Sequence, residues 1–523
     1  MNYFSVDHLI VYTSLLLTVI VGLRAGRGIK TIREYAVGNR MFGTASLVFT
    51  FLATNLAGAC IINVASMIFS DGIIVTVALL GLIILYITQA FFIVPHAVYF
   101  PNCITMGDMM NQLYGKASGV IAGTLGLLSS IFLAGMELIV LGIICESLLG
   151  INAKGGILIG GLILTLYSAH GGIKSVVTTD ILQFLMVVVG IPLIAYMALN
   201  KVGGMTNLLS QVPQEKFMII DHPKFYFYLT LFFLWTIFPA GMIDSAIIQR
   251  LLMGKTKKQL RNQYLLVAVF DPLFQGIVLL IAFAGVVLYP DGDSKEIVPR
   301  MINDFFPIGL KGLAITGLLA IVMSTVDSHL HVTGLTLVHD IIKPIYVTTG
   351  RMGFLSLEKK IAQGATILVG MAAIAIALHT TDMFGLLLDS LAATGPLLMF
   401  PLLSGMMGLK PEKKAFYTAM VVTIAAWVAC KLLLPEDYDY LTTLLCIVVN
   451  GIAFFGTHFY INKGFKKVER QKEQCLNEFT PSSPFFQDLL PKNLLVYVQQ
   501  QLKKCNPPYV LAGIFCLLNL IVP

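Results

Sequence analysis

Apolar runs of bilayer-spanning length recur along almost the whole chain. They fall near residues 7–23, 43–70, 72–96, 117–149, 152–168, 175–199, 225–249, 263–289, 309–339, 361–378, 383–406, 415–433, 440–461 and 508–522. A helix needs about 20 apolar residues to cross the ~30 Å hydrocarbon layer. Inside lipid every backbone polar group must find its partner within the protein, and continuous apolar runs of this length do so as helices. The pattern therefore predicts an all-α membrane protein with 13 or 14 spans, the last being short and preceded by Pro507 and Pro508. Composition agrees: 57% of the 523 residues are hydrophobic and 12% are charged, against about 25% charged in soluble proteins. The formal charge of +7 reflects loop lysines rather than a nucleic-acid surface. The eight cysteines show no CxxC spacing, and GxxxxGKS, HExxH and GxSxG are absent. ATP-driven transport within the chain, a zinc site and the common hydrolases are thereby disfavoured, and an enzyme is not expected.

Charge sets the expected orientation. The N-terminal run lacks a basic start, and Arg24, Arg27, Lys30 and Arg33 follow it. That order is opposite to a cleavable signal peptide and predicts an uncleaved span. With the N-terminus outside, the cytoplasmic loops hold 27 of the 35 lysines and arginines, as the positive-inside bias requires. The expected setting is a cell membrane, a bacterial inner membrane.

Against this apolar background, LLAIVMSTVDSHL (318–330) stands out. Ser324, Thr325, Asp327 and Ser328 place oxygen atoms at hydrocarbon depth, where polar side chains are costly and mark ion or substrate paths. Hydroxyls and carboxylates without a soft ligand suit a hard cation. On a helix Ser324, Asp327 and Ser328 share a face, with Thr325 about 100° round. Two other runs are interrupted at their centres, one at Thr54–Gly58 and one at Pro239–Gly241. Freed backbone groups at that depth are tolerated where a cavity or an ion uses them. The interruptions lie five spans apart, as in transporters built from two inverted repeats.

Four blocks resemble the sodium:solute symporter family, which includes sodium-coupled proline, pantothenate, sialic acid, sugar and choline transporters. They are EYAVGNRMFG leading into FLATNLAG, YSAHGGIKSVVTTDILQ, IIQRLLMGKTKKQLR and LLAIVMSTVDSHL, and they spread from about residue 34 to 340. The resemblance implies a leucine-transporter-type core of five plus five inverted helices over residues 41–406. Residues 1–40 would add a helix and the first cytoplasmic loop, and 407–461 two further helices. Residues 462–506 would form a cytoplasmic polar segment, and 507–523 a last span. The resemblance also implies sodium bound by the hydroxyls of Ser324 and Thr325 and by the carbonyls of Ile321, Ala53 and Leu56. Asp180 matches an aspartate near the sodium exit route that joins a second sodium site in some members. A helix-end salt bridge to Lys174 is the alternative. Asp327 and Ser328 fall where two serines form that second site in the sialic acid branch, with aspartate here in place of the first serine.

The solute pocket is expected between the two interruptions and the third core helix. Candidate lining residues are Asn55, Gly58, Ala59 and Cys60 on one side, and Trp235, Phe238, Met242, Asp244 and Ser245 on the other. Asp244 and Glu137 are isolated acids within apolar runs, and each needs a partner, a proton, water or a cationic ligand. One of them is expected to receive an amine, with Trp235 or Phe238 adding cation–π attraction. The alternatives are a salt bridge with Arg250 and a protonated structural acid. The expected function is sodium-driven import of a small polar organic solute, such as a proline-like amino acid or choline. Sodium would bind between the second and ninth spans and stabilise the outward-open form. The rivals are a proton-coupled transporter and a membrane sensor working with a separate signalling partner.

Overall fold

The computed structural model describes residues 5–466 apart from residues 57, 98, 237–242, 349–353 and 436–438. Among the described residues there are helices and connecting turns but no strand. Ten helices are long and apolar enough to cross a membrane, and two shorter apolar ones, Thr44–Asn55 and Phe225–Thr236, accompany them. The protein is an integral multi-pass membrane protein. Among the described residues, the first 13 apolar runs fall on helices; residues 237–242 of the seventh run and the whole run at 508–522 lie outside them.

Thirteen runs become fewer continuous helices because some turn back on themselves. The helical stretch Ala153–Val202 has 50 residues, which at about 1.5 Å per residue is more than twice the hydrocarbon thickness. It breaks at Gly172 (φ 58°, ψ −169°), a conformation that favours glycine. A Cβ at Gly172 would also lie 2.6 Å from the Tyr35 ring. Similarly, Ile61–Ala97 turns at Gly72 (φ 81°), where a Cβ would lie 2.2 Å from the Lys216 carbonyl oxygen.

These reversals sort the connections into two faces. On one face Lys174 pairs with Glu34, Arg33 donates to the Pro101 carbonyl at 2.6 Å, and Lys359 donates to Ile29 at 2.7 Å. On the other, Asp7 accepts from the Gly309 and Gly312 amides, Lys224 pairs with Asp71, and Asn303 donates to Ser147. Each set joins loops that strict alternation of the spans puts together.

The helix Leu310–Thr336 forms the centre of the bundle. Every residue from 314 to 336 is buried, which keeps the hydroxyls and Asp327 of this helix inside the bundle and away from lipid. It packs on Ala153–Val202 and Lys116–Leu149. At one crossing a Cβ on Gly317 would lie 2.9 Å from the Gly190 Cα, a small-residue contact of the kind that brings membrane helices close. Leu9, Leu16, Phe92, Leu166, Leu368 and Leu432 expose more than half of their surface, which suits a lipid-facing shell.

Candidate functional site

The helix Thr44–Asn55 ends at Leu56, and a second helix, Gly58–Asp71, begins two residues later. The last carbonyls of a helix lack an amide from the following turn and are free to take other partners. Here they meet the central helix. Ser324 Oγ lies 2.7 Å from the Ala53 carbonyl and 2.8 Å from that of Ile321. Thr325 Oγ1 lies 3.1 Å from the Thr54 carbonyl and 3.2 Å from Ile321. All five residues are buried. A hydroxyl has a single proton to donate, so several of these oxygen lone pairs are left for a cation. The donors are all oxygen, the chemistry of a hard ion. Four of the five expected residues thus contribute to one oxygen cluster. Leu56 is buried beside it, but the carbonyl that Thr325 reaches belongs to Thr54, which the sequence reading did not include.

One helical turn away lies a second polar cluster around Arg250, which is 1% exposed. Its guanidinium donates to Thr54 Oγ1, to Ser328 Oγ at 2.7 Å and to Thr50 Oγ1 at 3.3 Å, and pairs with Asp180 at 3.5 Å. Asp180 also accepts from Thr50 Oγ1. The expected alternative, Lys174, pairs instead with Glu34. Asp327 belongs to a different group: Tyr167 donates to its carboxylate at 2.7 Å and Thr179 at 3.3 Å. Thr50 and Tyr167 are residues of these clusters that the sequence reading did not include, and Arg250 it named only as a possible salt-bridge partner of a pocket acid. Arg250 was legible in principle, as a lone charge inside the apolar stretch IIQRLLM.

The expected solute residues are less tightly grouped. Glu137, fully buried, approaches the start of the second half-helix: a Cβ at Gly58 would lie 2.9 Å from its Oε2 and 2.3 Å from Val322. Asn55 donates to Tyr86 Oη. Trp235 packs beside Gly81. Asp244 caps the helix Ser245–Met253 by accepting from the Ile247 amide at 2.9 Å, and its other oxygen lies 3.8 Å from His329 Nδ1. Arg250 pairs with Asp180 rather than with Asp244. The Ser245 hydroxyl faces Gly126. Phe238, Met242, the second interruption and the side chains of Ala59 and Cys60 lie outside the described residues.

Residues 35–422 match the model of the sodium:solute symporter family. The chain belongs to the sodium:solute symporter family. Among curated relatives, the sodium-coupled monocarboxylate transporter 1 of Xenopus laevis is 22% identical over 71% of this chain and 63% of its own length. The high-affinity proline transporter PutP of Bacillus subtilis (strain 168) is 21% identical over 63% of this chain and 72% of its own. The chain spans about three-fifths of the length of the monocarboxylate transporters it matches. A substrate-bound, outward-open Na+-coupled sialic acid symporter superposes with a TM-score of 0.74 at 18% identity, covering 89% of this chain and 100% of that one. A nucleobase-cation-symport-1 family transporter gives 0.56 at 15% identity, covering 85% and 98%. The expected leucine-transporter-type architecture is thus the fold of this member of the family.

Proposed function

We propose that the protein is a sodium-coupled symporter that imports a small polar organic solute. The carrying observation is the buried meeting of the Ser324 and Thr325 hydroxyls with the carbonyls of Ala53, Thr54 and Ile321. An ion held there bridges a broken helix and the central helix. Its binding energy then favours the arrangement that keeps those two elements together, and its departure releases it. With the Lys/Arg-rich face in the cytoplasm, the inward sodium gradient drives import.

The solute reading is finer and rests on Glu137. Glu137 is fully buried where the second half-helix begins at Gly58, and this places an acidic group beside the sodium cluster as the contact proposed for an amine-bearing solute, proline-like or choline-like. Asp244 contributes less to this reading, since its carboxylate caps a helix. The proton-coupled alternative draws on the pair Asp244 and His329, whose nearest side-chain atoms lie 3.8 Å apart.

Uptake by the full chain in proteoliposomes separates the readings. Imposed sodium gradients at equal pH on both sides should drive accumulation of an amine-bearing solute. Accumulation that follows a pH gradient and ignores sodium would replace sodium with protons.

A further inference from the structure

We infer that Asp108, His339 and Asp340 form a binding site for one divalent metal ion of the zinc class, separate from the sodium cluster. Asp108 lies on the helix Met106–Tyr114, and His339 and Asp340 lie on the π-helical turn Leu337–Ile342 that continues the central helix. Asp340 follows Ser324 by 16 positions in this helical run, which at about 1.5 Å per residue puts the two sites roughly 24 Å apart. One potential ligand atom from each of the three residues lies within 4.8 Å of the others.

The local chemistry asks for a cation. His339 Nδ1 lies 2.7 Å from Glu358 Oε1, a carboxylate oxygen that accepts, so the ring proton on Nδ1 is donated there. The Nε2 lone pair is then left facing the Asp108 carboxylate, 3.1 Å from each of its oxygens. Two such groups repel unless positive charge lies between them. Ligands held about 2.0–2.2 Å from a tetrahedral zinc ion stand about 3.4 Å apart, so the pair needs little movement to share one.

Asp340 lines the same space. It is 5% exposed; Thr105 donates to its Oδ1 at 2.6 Å, and its Oδ2 has no hydrogen-bond partner. A buried carboxylate oxygen left in that state is costly. Asp108, His339 and Asp340 border a cavity of about 30 Å³ together with Gly107 and Gly119, room enough for an ion with a water. The absence of side chains keeps it open: a Cβ at Gly107 would lie 2.4 Å from Asp340 Oδ2, and one at Gly123 would lie 3.3 Å from it.

Charge balance points the same way. Lys343 pairs with Glu358 at 3.1 Å, which leaves the two carboxylates of Asp108 and Asp340 for a doubly charged ion. Lys116 also borders the cavity but is exposed, and its ammonium can turn to water. One imidazole nitrogen with two carboxylates suits zinc and its neighbours better than sodium or magnesium. Glu358 holds the other ring nitrogen, as carboxylates do behind metal-bound histidines. A bound ion ties the helix Met106–Tyr114 to the end of the central span.

Zinc chloride titrated into purified, chelator-stripped full-length protein tests this. Calorimetry should show one zinc per chain, and zinc should raise the Tm. His339→Gln removes the nitrogen ligand and should abolish both responses. Glu358→Gln keeps every ligand but loosens the imidazole, and should weaken binding by about 10–100-fold. No saturable zinc binding to the wild type overturns the inference. A folded His339→Gln protein that binds zinc as the wild type does also overturns it, and assigns the metal to surface histidines. Should that variant fail to fold, cobalt(II) absorption of the wild type decides: the intense visible bands of a low-symmetry nitrogen–oxygen site support the inference, and the weak bands of hydrated cobalt overturn it.

Discussion

The hydroxyl of Ser324 sits 2.7 Å from the carbonyl oxygen of Ala53, joining two residues 271 positions apart in the chain. That contact exists because one helix stops in mid-membrane. Where Thr44–Asn55 ends, its carbonyls need new partners, and the central helix presents two hydroxyls in consecutive positions to meet them. The proposed coupling ion adds its charge to a joint that the fold has already built.

If the two hydroxyls are ion ligands, each should matter for sodium and little for folding. Ser324→Ala and Thr325→Ala are expected to weaken sodium activation of uptake by about tenfold or more each, corresponding to about 1.4 kcal/mol. Thr325→Ser, which keeps the oxygen, should stay close to wild type. Sodium titrations of uptake at constant ionic strength provide the comparison.

Gly58 lies where the Gly58–Asp71 helix comes closest to Glu137 and Val322. A methyl group there would stand 2.3 Å from Val322 Cγ2 and 2.9 Å from Glu137 Oε2. Gly58→Ala should therefore cost about 1–3 kcal/mol of stability through overpacking. Adding Val322→Ala should recover part of the loss, because it removes the nearer obstacle. Thermal unfolding of the single and double variants measures both effects.

The spans were legible because the bilayer imposes a length and a hydropathy that one segment can display alone. The interruption at Thr54–Gly58 and the hydroxyl pair were legible for the same reason: each is a local departure from an apolar background. Cross-helix partnerships were not. Nothing local to Asp327 announces Tyr167, 160 positions away, and nothing near Asn55 announces Tyr86. Arg250 is the instructive case. It stands a few residues before the basic loop of Lys255, Lys257 and Lys258, and the sequence offers it only as a possible salt-bridge partner of a pocket acid. In the structure it is buried, and its guanidinium reaches oxygen atoms on three other helices. Lys174 illustrates the opposite error. Sequence proximity suggested Asp180 as its partner, but the turn at Gly172 brings it to Glu34.

Removing the guanidinium should expose the cost of a buried unpaired acid. Arg250→Ala leaves Asp180 without its counter-charge and is expected to lose about 3–5 kcal/mol. Asp180→Asn in the same background should restore part of it. The loss should be largest in sodium-free buffer, where no ion can replace the missing cation. Thermal unfolding with and without sodium provides the readout.

The Lys174–Glu34 contact makes a pH-dependent contribution at the loop face. The Lys174 hydrogen bond holds the Glu34 carboxyl below its ordinary value of 4.5. A lowered carboxyl pKa contributes stability that is fully present above the unfolded value and is lost as pH falls through the folded one. Lys174→Met should therefore be less stable than wild type at neutral pH, and the gap should close below about pH 4.5. Both side chains are partly exposed, so the gap should be about 1 kcal/mol or less. Denaturation midpoints measured across pH 3–7 record it.

The most direct test of sodium at the broken helix is ion-specific stabilisation of the purified full-length protein. Ligand that binds the native state raises its Tm in a concentration-dependent way. Sodium should raise the Tm of the wild type while potassium at the same ionic strength does not, and the Ser324→Ala/Thr325→Ala double variant should lose the sodium response while remaining folded. An equal response to both salts, or a double variant that still responds to sodium as the wild type does, would contradict the assignment.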